Sequence, residues 1–439
     1  MKRNAMNALK KWKNKPSRKP MLVFGARQVG KTYLLKQFGQ DQFESVAYFD
    51  LEKQEDAKAA FSGNLNPAEI VQKLSQVAGH SINVETTLIV LDEIQASNRA
   101  LASLKYFCED MAHSFVVAAG SLLGVAVNRE GYSAPVGKVE TLTMHPATFD
   151  EFLLACGQDQ MCNAIQECFN TNESYFMHKK ALEHFWEYLL VGGMPEAINT
   201  FLSSGNFTEV ERVQYAILNL YIADMAKYAQ PIETARILEA WRSMPAQLLK
   251  ENKKFKYTTI KKGGRAAQFE AALSWLETAG LVNRCVNITT AHAPLALYEN
   301  RALFKMYLAD TGLLSSMLRL NPKALLDQNN NSLNVGAVVE NYVAQELKAS
   351  GFALSYWTSP GKAEVDFVVD TGKETAIPIE VKSSTNVMSK SLGVYKAKYA
   401  PAYSIRVSAK NFGFENNFKS VPLYATFCIK GLMEHLTNT

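Results

Sequence analysis

Apolar residues in the first third of the chain gather into short continuous runs at residues 21–24, 87–91 and 114–119. Runs of this length without polar alternation predict strands buried on both faces, as in a parallel sheet covered by helices. The first leads into Gly25-Ala-Arg-Gln-Val-Gly30-Lys31-Thr32 and then into the helix-compatible Tyr33-Leu-Leu-Lys-Gln-Phe. From about residue 149 to residue 249 the spacing lengthens to a helical period, as in Ala181-Leu-Glu-His-Phe-Trp-Glu-Tyr-Leu-Leu and Val213-Gln-Tyr-Ala-Ile-Leu-Asn-Leu-Tyr-Ile. Helices are predicted at 235–249, 258–262 and 265–279, then strands at 281–288 and 303–308. After residue 336 an apolar helix at 338–347 precedes strands beginning at Phe367 and Ile377. The chain is therefore α/β, and 439 residues are enough for several domains.

Composition narrows the class. Hydrophobic residues make up 47% and charged residues 20%, an ordinary globular balance. The net charge of +5 misleads, because Lys2, Arg3, Lys10, Lys11, Lys13, Lys15, Arg18 and Lys19 precede Met21 with no acid among them. Removing those eight charges leaves −3 for the rest, so nucleic-acid binding must be argued from local clusters. No apolar stretch follows them before Pro16 and Pro20, which is not the pattern of a secretory signal. Residues 115–127, the longest apolar-rich stretch, fall short of the roughly 20 residues that span a bilayer. A soluble cytoplasmic protein without membrane contact is expected. Cys108, Cys156, Cys162, Cys168, Cys285 and Cys428 include no closely spaced pair and read as reduced thiols.

Strand, glycine-bounded loop and helix, in that order, suit a triphosphate. The glycines let backbone N–H groups turn inward, and the helix start adds the positive end of its dipole. Gly25, Ala26, Arg27, Gln28, Val29, Gly30, Lys31 and Thr32, with Tyr33 at the helix start, are the candidate ATP-binding set. Lys31 is expected to reach the β and γ phosphates, and Thr32 to coordinate Mg2+. The second run ends in Asp92-Glu93, and ligands bind at the carboxyl ends of parallel strands. Asp92 would hold magnesium through water, and Glu93 would orient and deprotonate the attacking water. Transfer of a γ-phosphoryl group needs positioning and charge neutralisation more than covalent help, so this small set suffices for a slow ATPase. Ser121 follows the third run. If that run lies beside the acid-bearing one, Ser121 holds the lytic water or senses the γ-phosphate; otherwise it caps the next helix.

The sequence resembles the AAA-superfamily ATPases of bacteria and archaea that carry an uncharacterised C-terminal domain, the domain-of-unknown-function 4143 type. The resemblance spans nearly the whole chain: Trp12-Lys-Asn-Lys-Pro, Leu91-Asp-Glu-Ile-Gln95, Ala119-Gly-Ser121, Pro135-Val-Gly-Lys-Val-Glu140, Phe149-Asp-Glu-Phe-Leu, Gly192-Gly-Met-Pro-Glu196 and Tyr307-Leu-Ala-Asp-Thr-Gly-Leu-Leu314. It implies an AAA-type P-loop core over residues 1–150, including the basic N-terminal segment, and a helical lid over 151–232. Many AAA machines act as rings, which would make a second copy of the chain a partner. Where the family often has Gly-Arg, a candidate finger reaching a neighbouring site, this chain has Gly137-Lys138, with Arg129 nearby.

In the lid, Gly192-Gly193 before Pro195 reads as a turn between helices, and Asp224 as a solvated helix acid or, alternatively, a contact to the nucleotide region. Over 233–320 the order helix, short helix, helix, strand, strand fits a winged helix. Lys250, Lys253, Lys254, Lys256, Lys261, Lys262 and Arg265 fall at and before its third helix, where a recognition helix meets DNA. Winged helices also serve as protein-binding modules, and a lysine run is also a solvated face.

Residues 330–439 resemble the restriction-endonuclease-like fold, whose pattern is an acid, a gap and Glu-x-Lys; here these are Asp366, Glu380 and Lys382. Side chains alternate along a strand, so Glu380 and Lys382 point the same way. Asp366 and Glu380 would hold magnesium, Lys382 would polarise the scissile phosphate or its attacking water, and Glu340 would support the metal shell. Two functions follow: an ATP-driven DNA-processing enzyme that also cuts, or a nucleotide-gated switch with a protein or DNA partner and a silent terminal domain.

Overall fold

The structure, a computed structural model, describes residues 1–121, 137–228, 231–250, 253–326, 333–361, 363–372, 374–384 and 390–432. The chain divides into two compact units. One comprises residues 2–145 with 278–280; the other comprises residue 1, 146–277 and 281–439.

The first unit begins with helix α1 (Ala5–Lys13) and continues as β1 (Met21–Phe24), α2 (Lys31–Gln42), β2 (Ser45–Asp50), α3 (Glu55–Ala59), α4 (Pro67–Ala78), β3 (Thr87–Asp92), α5 (Asn98–Asp110), β4 (Phe115–Ala119) and β5 (Glu140–Thr143). All five strands are parallel, in the order β2-β3-β4-β1-β5. Leu88, Ile89, Val90 and Leu91 of β3 are fully buried, as a central strand covered on both faces requires. Each such side chain contributes about 1.5–3 kcal/mol relative to exposure. Ile89 and Leu91 pack with Ile70 and Leu74 of α4 and with Leu101, Leu104 and Phe107 of α5. Both helices start on side-chain caps: Asn66 accepts from the Ala68 amide, and Ser97 from the Ala100 amide. β4 lies beside β3, with Val117 opposite Val90 and Ala118 opposite Leu91, which puts Ser121 next to the end of the acid-bearing strand.

The second unit opens with helices α6 (Phe149–Ala155), α7 (Asp159–Thr171), α8 (His178–Val191), α9 (Pro195–Ser204), α10 (Phe207–Tyr228), α11 (Pro231–Leu248), α12 (Tyr257–Ile260) and α13 (Ala266–Thr278). Strands β6 (Val282–Ile288) and β7 (Glu299–Leu308) form the antiparallel hairpin read as wing strands. They do not stand alone. β6 also pairs in parallel with β8 (Ser355–Thr358), which brings the hairpin into an eight-stranded mixed sheet. That sheet continues through β9 (Glu364–Val369), β10 (Ile377–Val381), β11 (Ser404–Ser408) and β13 (Phe418–Pro422) to β12 (Gly413–Glu415). Backbone pairing thus crosses the boundary expected between residues 320 and 330. Between β7 and β8 run α14 (Thr311–Met317), α15 (Pro322–Leu326) and α16 (Leu333–Ala349), and α17 (Lys390–Tyr399) lies between β10 and β11. Leu392, Tyr395 and Tyr399 of α17 pack on Trp357 and Val365.

Gly192-Gly193 does more than turn the chain. Gly192 has φ +74°, and a Cβ there would overlap Gly312 and the Asp310 carboxylate, while one on Gly193 would overlap the Ala147 backbone. Buried Asp310 accepts from the amides of Gly193 (2.6 Å) and Leu313 (2.8 Å), so it joins the end of α8 to the start of α14. Asp224, read as a solvated acid, is buried at 5% exposure, because it lies on the face of α10 that carries buried Ile217, Tyr221 and Met225.

Candidate functional site

In the first unit the loop between β1 and α2 closes around Lys31. Gly25 (φ +146°), Gln28 (φ +65°) and Gly30 (φ +91°) take positive φ, which turns successive amides toward a common centre. A Cβ at Gly25 would overlap the carbonyl oxygen of Met144, so a second constraint demands glycine there. Ala26 and Val29 are buried, and Tyr33 is 59% exposed on the first turn of α2. Lys31 is 7% exposed and donates to the carbonyls of Gly25 (2.9 Å) and Ala26 (2.8 Å). Burial pushes its pKa down to about 8, against the upward pull of Glu93 and Asp92, with Arg27 adding to the depression.

Asp92, at the carboxyl end of β3, meets this loop: Thr32 Oγ1 donates to Asp92 Oδ2 at 2.6 Å. Tyr48, from neighbouring β2, donates to the same oxygen at 2.8 Å, and Asp92 Oδ1 accepts from the Glu93 amide. Burial and the Asp92 charge push the Tyr48 phenol up, so it stays a donor. Glu93 sits at φ +49°, a region that costs energy for a non-glycine residue and that concentrates at functional sites. Its Oε2 accepts from Gln95 Nε2 and from Ser121 Oγ (3.3 Å). The structure therefore brings together Gly25, Lys31, Thr32, Asp92, Glu93 and Ser121 as the spacing predicts.

Tyr48, Gln95 and Arg3 escaped the sequence reading. Gln95 carried a signal, since it closes the Leu91-Asp-Glu-Ile-Gln95 stretch. Tyr48 and Arg3 carried none, because only strand order and chain return bring them to the site. Lys138 pairs with Glu109 at 2.8 Å on the surface of its own unit, and Arg129 lies outside the described residues.

The adjacent hydroxyl of Thr32 and carboxylate of Asp92 are the hard oxygen donors magnesium takes, and they fit it. Were the ion held there with a nucleotide, it would supply charge neutralisation to the phosphates.

In the second unit the structure gathers Asp366, Glu380 and Lys382. Asp366 Oδ2 accepts from the Val381 amide at 2.9 Å, and Lys382 Nζ lies 2.7 Å from Glu380 Oε1. Glu380 Oε2 is buried with no partner among the described residues. Burial, then the charges of Glu340 and Glu380, push Asp366 up to about 7. Burial works against the Lys382 charge, but Glu380 and Asp366 outweigh it and raise its pKa. The partnerless Glu380 oxygen beside the Asp366 carboxylate is an oxygen-donor pair of the kind a divalent cation takes, with substrate phosphates supplying further ligands. Among the described residues no three His, Cys, Asp or Glu side chains converge to hold a metal.

Glu340 lies near enough for its charge to act on Asp366, but its carboxylate is engaged by other partners. Its carboxylate takes Lys253, Lys305 Nζ (3.3 Å) and the Tyr307 hydroxyl (2.5 Å), and the two lysines hold it down to about 2 despite burial. Lys305, only 1% exposed, also bonds Glu364 at 2.7 Å. In the basic segment, Lys250 donates to Thr259, Lys261 pairs with Glu239 at 3.6 Å and Lys253 with Glu340, so at least these three cations are tied within the unit.

A parallel sheet in the order β2-β3-β4-β1-β5, with a phosphate loop after β1 and an acid pair after β3, defines the class as a P-loop nucleotide-binding domain of α/β fold. The family comparisons agree. A model described as an AAA domain matches residues 17–153, and two described as domains of unknown function, DUF8612 and DUF4143, match residues 182–324 and 335–426. No curated protein matches. Among solved structures, the Walker-type ATPase of Pyrococcus abyssi is similar at 13% identity and a TM-score of 0.42, over 72% of this chain and 94% of its own. The Aeropyrum pernix ORC2 protein in ADPNP–ADP complexes is 13% identical with a TM-score of 0.39, over 76% and 93%. AMPPCP-bound DnaA from Aquifex aeolicus is 13% identical with a TM-score of 0.28, over 62% and 86%. No helix among the described residues is long and apolar enough to cross a membrane.

Proposed function

We propose that the chain binds ATP with magnesium and hydrolyses it, and that this activity is coupled to DNA. The observation that carries the first part is the contact of Thr32 with Asp92 at 2.6 Å beside buried Lys31. Lys31 neutralises the β and γ phosphates. Thr32 and Asp92 hold the metal, and the loop amides of residues 25–32 cradle the remaining phosphate oxygens. Glu93, oriented by Gln95 and Ser121, takes the proton of the attacking water. Tyr48 fixes the Asp92 carboxylate and keeps it facing the loop.

The DNA role rests on the exposed Lys262 and Arg265 before α13, in the winged-helix-like order. In the terminal sheet, Asp366 and Glu380 would hold a second magnesium site. Lys382, 2.7 Å from Glu380, would steady the scissile phosphate or its attacking water in restriction-endonuclease-like cleavage. A second reading is a nucleotide-gated switch with a silent terminal domain and a protein partner. It is favoured by the saturation of Glu340 by Lys253, Lys305 and Tyr307, which removes one acid from metal service.

Purified wild type, Lys31→Ala and Lys382→Ala are to be compared with DNA and magnesium. Cleavage lost in Lys382→Ala supports the nuclease. DNA-stimulated ATP turnover without cleavage, lost in Lys31→Ala, supports the switch, and no DNA effect at all moves the partner to a protein.

A further inference from the structure

The phosphate loop is held from outside by an arginine far from it in sequence. Arg3 donates one guanidinium nitrogen to the carbonyl of Val29 at 2.8 Å and the other to the carbonyl of His145 at 2.6 Å. Val29 belongs to the loop, and His145 follows β5. Helix α1 carries Arg3 into place. Its Leu9 and Trp12 are buried, and the Trp12 ring packs 6.4 Å from Phe38 of α2 and 6.2 Å from Phe115 of β4. The Trp12 indole N–H donates to Lys19 at 2.7 Å, so the helix is pinned at both ends of its buried face.

The consequence lies in one peptide plane. In a trans peptide the C=O of residue 29 and the N–H of residue 30 point in opposite directions from a rigid plane. A donor that fixes the Val29 carbonyl therefore fixes the direction of the Gly30 N–H on the other side. Gly30, at φ +91°, is where the loop passes into α2, and on the nucleotide reading its amide is one of those that would meet the phosphates. The loop's other end is constrained as well, because Gly25 abuts the Met144 carbonyl, one residue before His145. Arg3 thus ties the last turn of the loop to the same strand end that already bounds its first turn. The planar fork matters: two carbonyls are reached by two nitrogens of one guanidinium, which an ammonium cannot reproduce.

We infer that Arg3 is a positioning residue for ATP: it sets the Val29–Gly30 peptide and so preorganises the phosphate loop before nucleotide arrives. This rests on the nucleotide reading of residues 25–32. The basic N-terminal helix then has a task within its own unit, as the strap that delivers this arginine.

The test compares wild type, Arg3→Ala, Arg3→Gln, Arg3→Lys and Lys31→Ala, using full-length protein. Two readouts are taken: steady-state Mg-ATP hydrolysis, and amide hydrogen exchange of nucleotide-free protein. Arg3→Ala is expected to raise KM about tenfold through loss of two charge-assisted hydrogen bonds, with kcat little changed once ATP holds the loop. Peptides covering residues 25–33 should exchange faster, whereas those covering β3 should not. Arg3→Lys should restore part of the affinity. Unchanged KM and unchanged loop exchange in both Arg3→Ala and Arg3→Gln overturn the inference, and Arg3→Gln decides it if Arg3→Ala does not fold. Should wild type fail to bind ATP, or Lys31→Ala bind it equally well, the nucleotide reading itself fails. The exchange of the nucleotide-free loop then still decides whether Arg3 holds it.

Discussion

Lys31 illustrates how a charged side chain is held inside the loop between β1 and α2. At 7% exposure it keeps its ammonium group against two backbone carbonyls, and burial lowers its pKa from 10.5 to about 8. The sign follows. Between the folded and unfolded values the unfolded chain binds more protons, so this residue's contribution to stability rises as pH climbs through that window, and below it the folded protein bears the full desolvation cost. Lys31→Met is therefore expected to stabilise nucleotide-free protein at pH 7 by about 1–3 kcal/mol while abolishing Mg-ATP binding. Thermal melts with and without nucleotide check it, and a lowered melting temperature would contradict it. Glu93 makes the complementary case. Glu93→Gln is expected to cut kcat by about 10²–10³-fold with ATP affinity retained, measured by single-turnover hydrolysis alongside equilibrium binding. A loss of affinity matched to the loss of rate would instead give the residue a binding role.

At the scale of elements, side chains from distant segments share buried charge. Lys305 of β7 and Glu340 of α16 are 1% and 6% exposed, and each is the other's partner. Removing the Glu340 carboxylate takes one of two acids from Lys305, which keeps Glu364 at 2.7 Å, at a cost of about 1.5–3 kcal/mol. Glu340→Gln should therefore lower the urea midpoint, and the double change with Lys305→Met should recover part of the loss. A midpoint unaffected by Glu340→Gln would mean the pair contributes nothing and would reopen a metal role for the glutamate. His178 joins α8 to the terminal strands. The Ala409 carbonyl can only accept, so Nε2 carries the proton (3.0 Å), and Nδ1 accepts from the Tyr424 hydroxyl (2.9 Å). Burial lowers its pKa, so the neutral ring is the folded form, and stability is lost as pH falls below the ordinary histidine value. Melts of wild type and His178→Phe across pH 5 to 8 should show a steeper acid loss in wild type; parallel curves would contradict this.

At the scale of the molecule, legibility divides by the distance over which a residue finds its partners. The phosphate loop could be read because chemistry fixes residue types at fixed spacing. The acid pair could be read because it ends a strand too apolar to lie anywhere but inside the sheet. Tyr48 against Asp92, and Arg3 against Val29, could not, since strand order and the return of α1 create them. The hairpin β6–β7 was visible as two strands, but its parallel pairing to β8 joins Val286 to Ser355, a separation no local pattern encodes. The terminal trio was legible as an acid, a gap and Glu-x-Lys: alternation at the end of β10 puts Glu380 and Lys382 on one side, while Asp366 comes from β9 and was supplied by the resemblance. The lysines that claim Glu340 arrive from a loop and a strand well upstream, and nothing in the local pattern announced them.

The central claim is that the amides and side chains around residues 25–32, with the carboxylates after β3, form one Mg-ATP site. Calorimetric titration of wild type, Lys31→Ala and Asp92→Asn with a non-hydrolysable ATP analogue, with and without magnesium, tests it most directly. The account predicts binding to wild type that strengthens with magnesium, loss of binding in Lys31→Ala, and loss of the magnesium effect in Asp92→Asn. Equal affinity in all three proteins, indifferent to the metal, would contradict it.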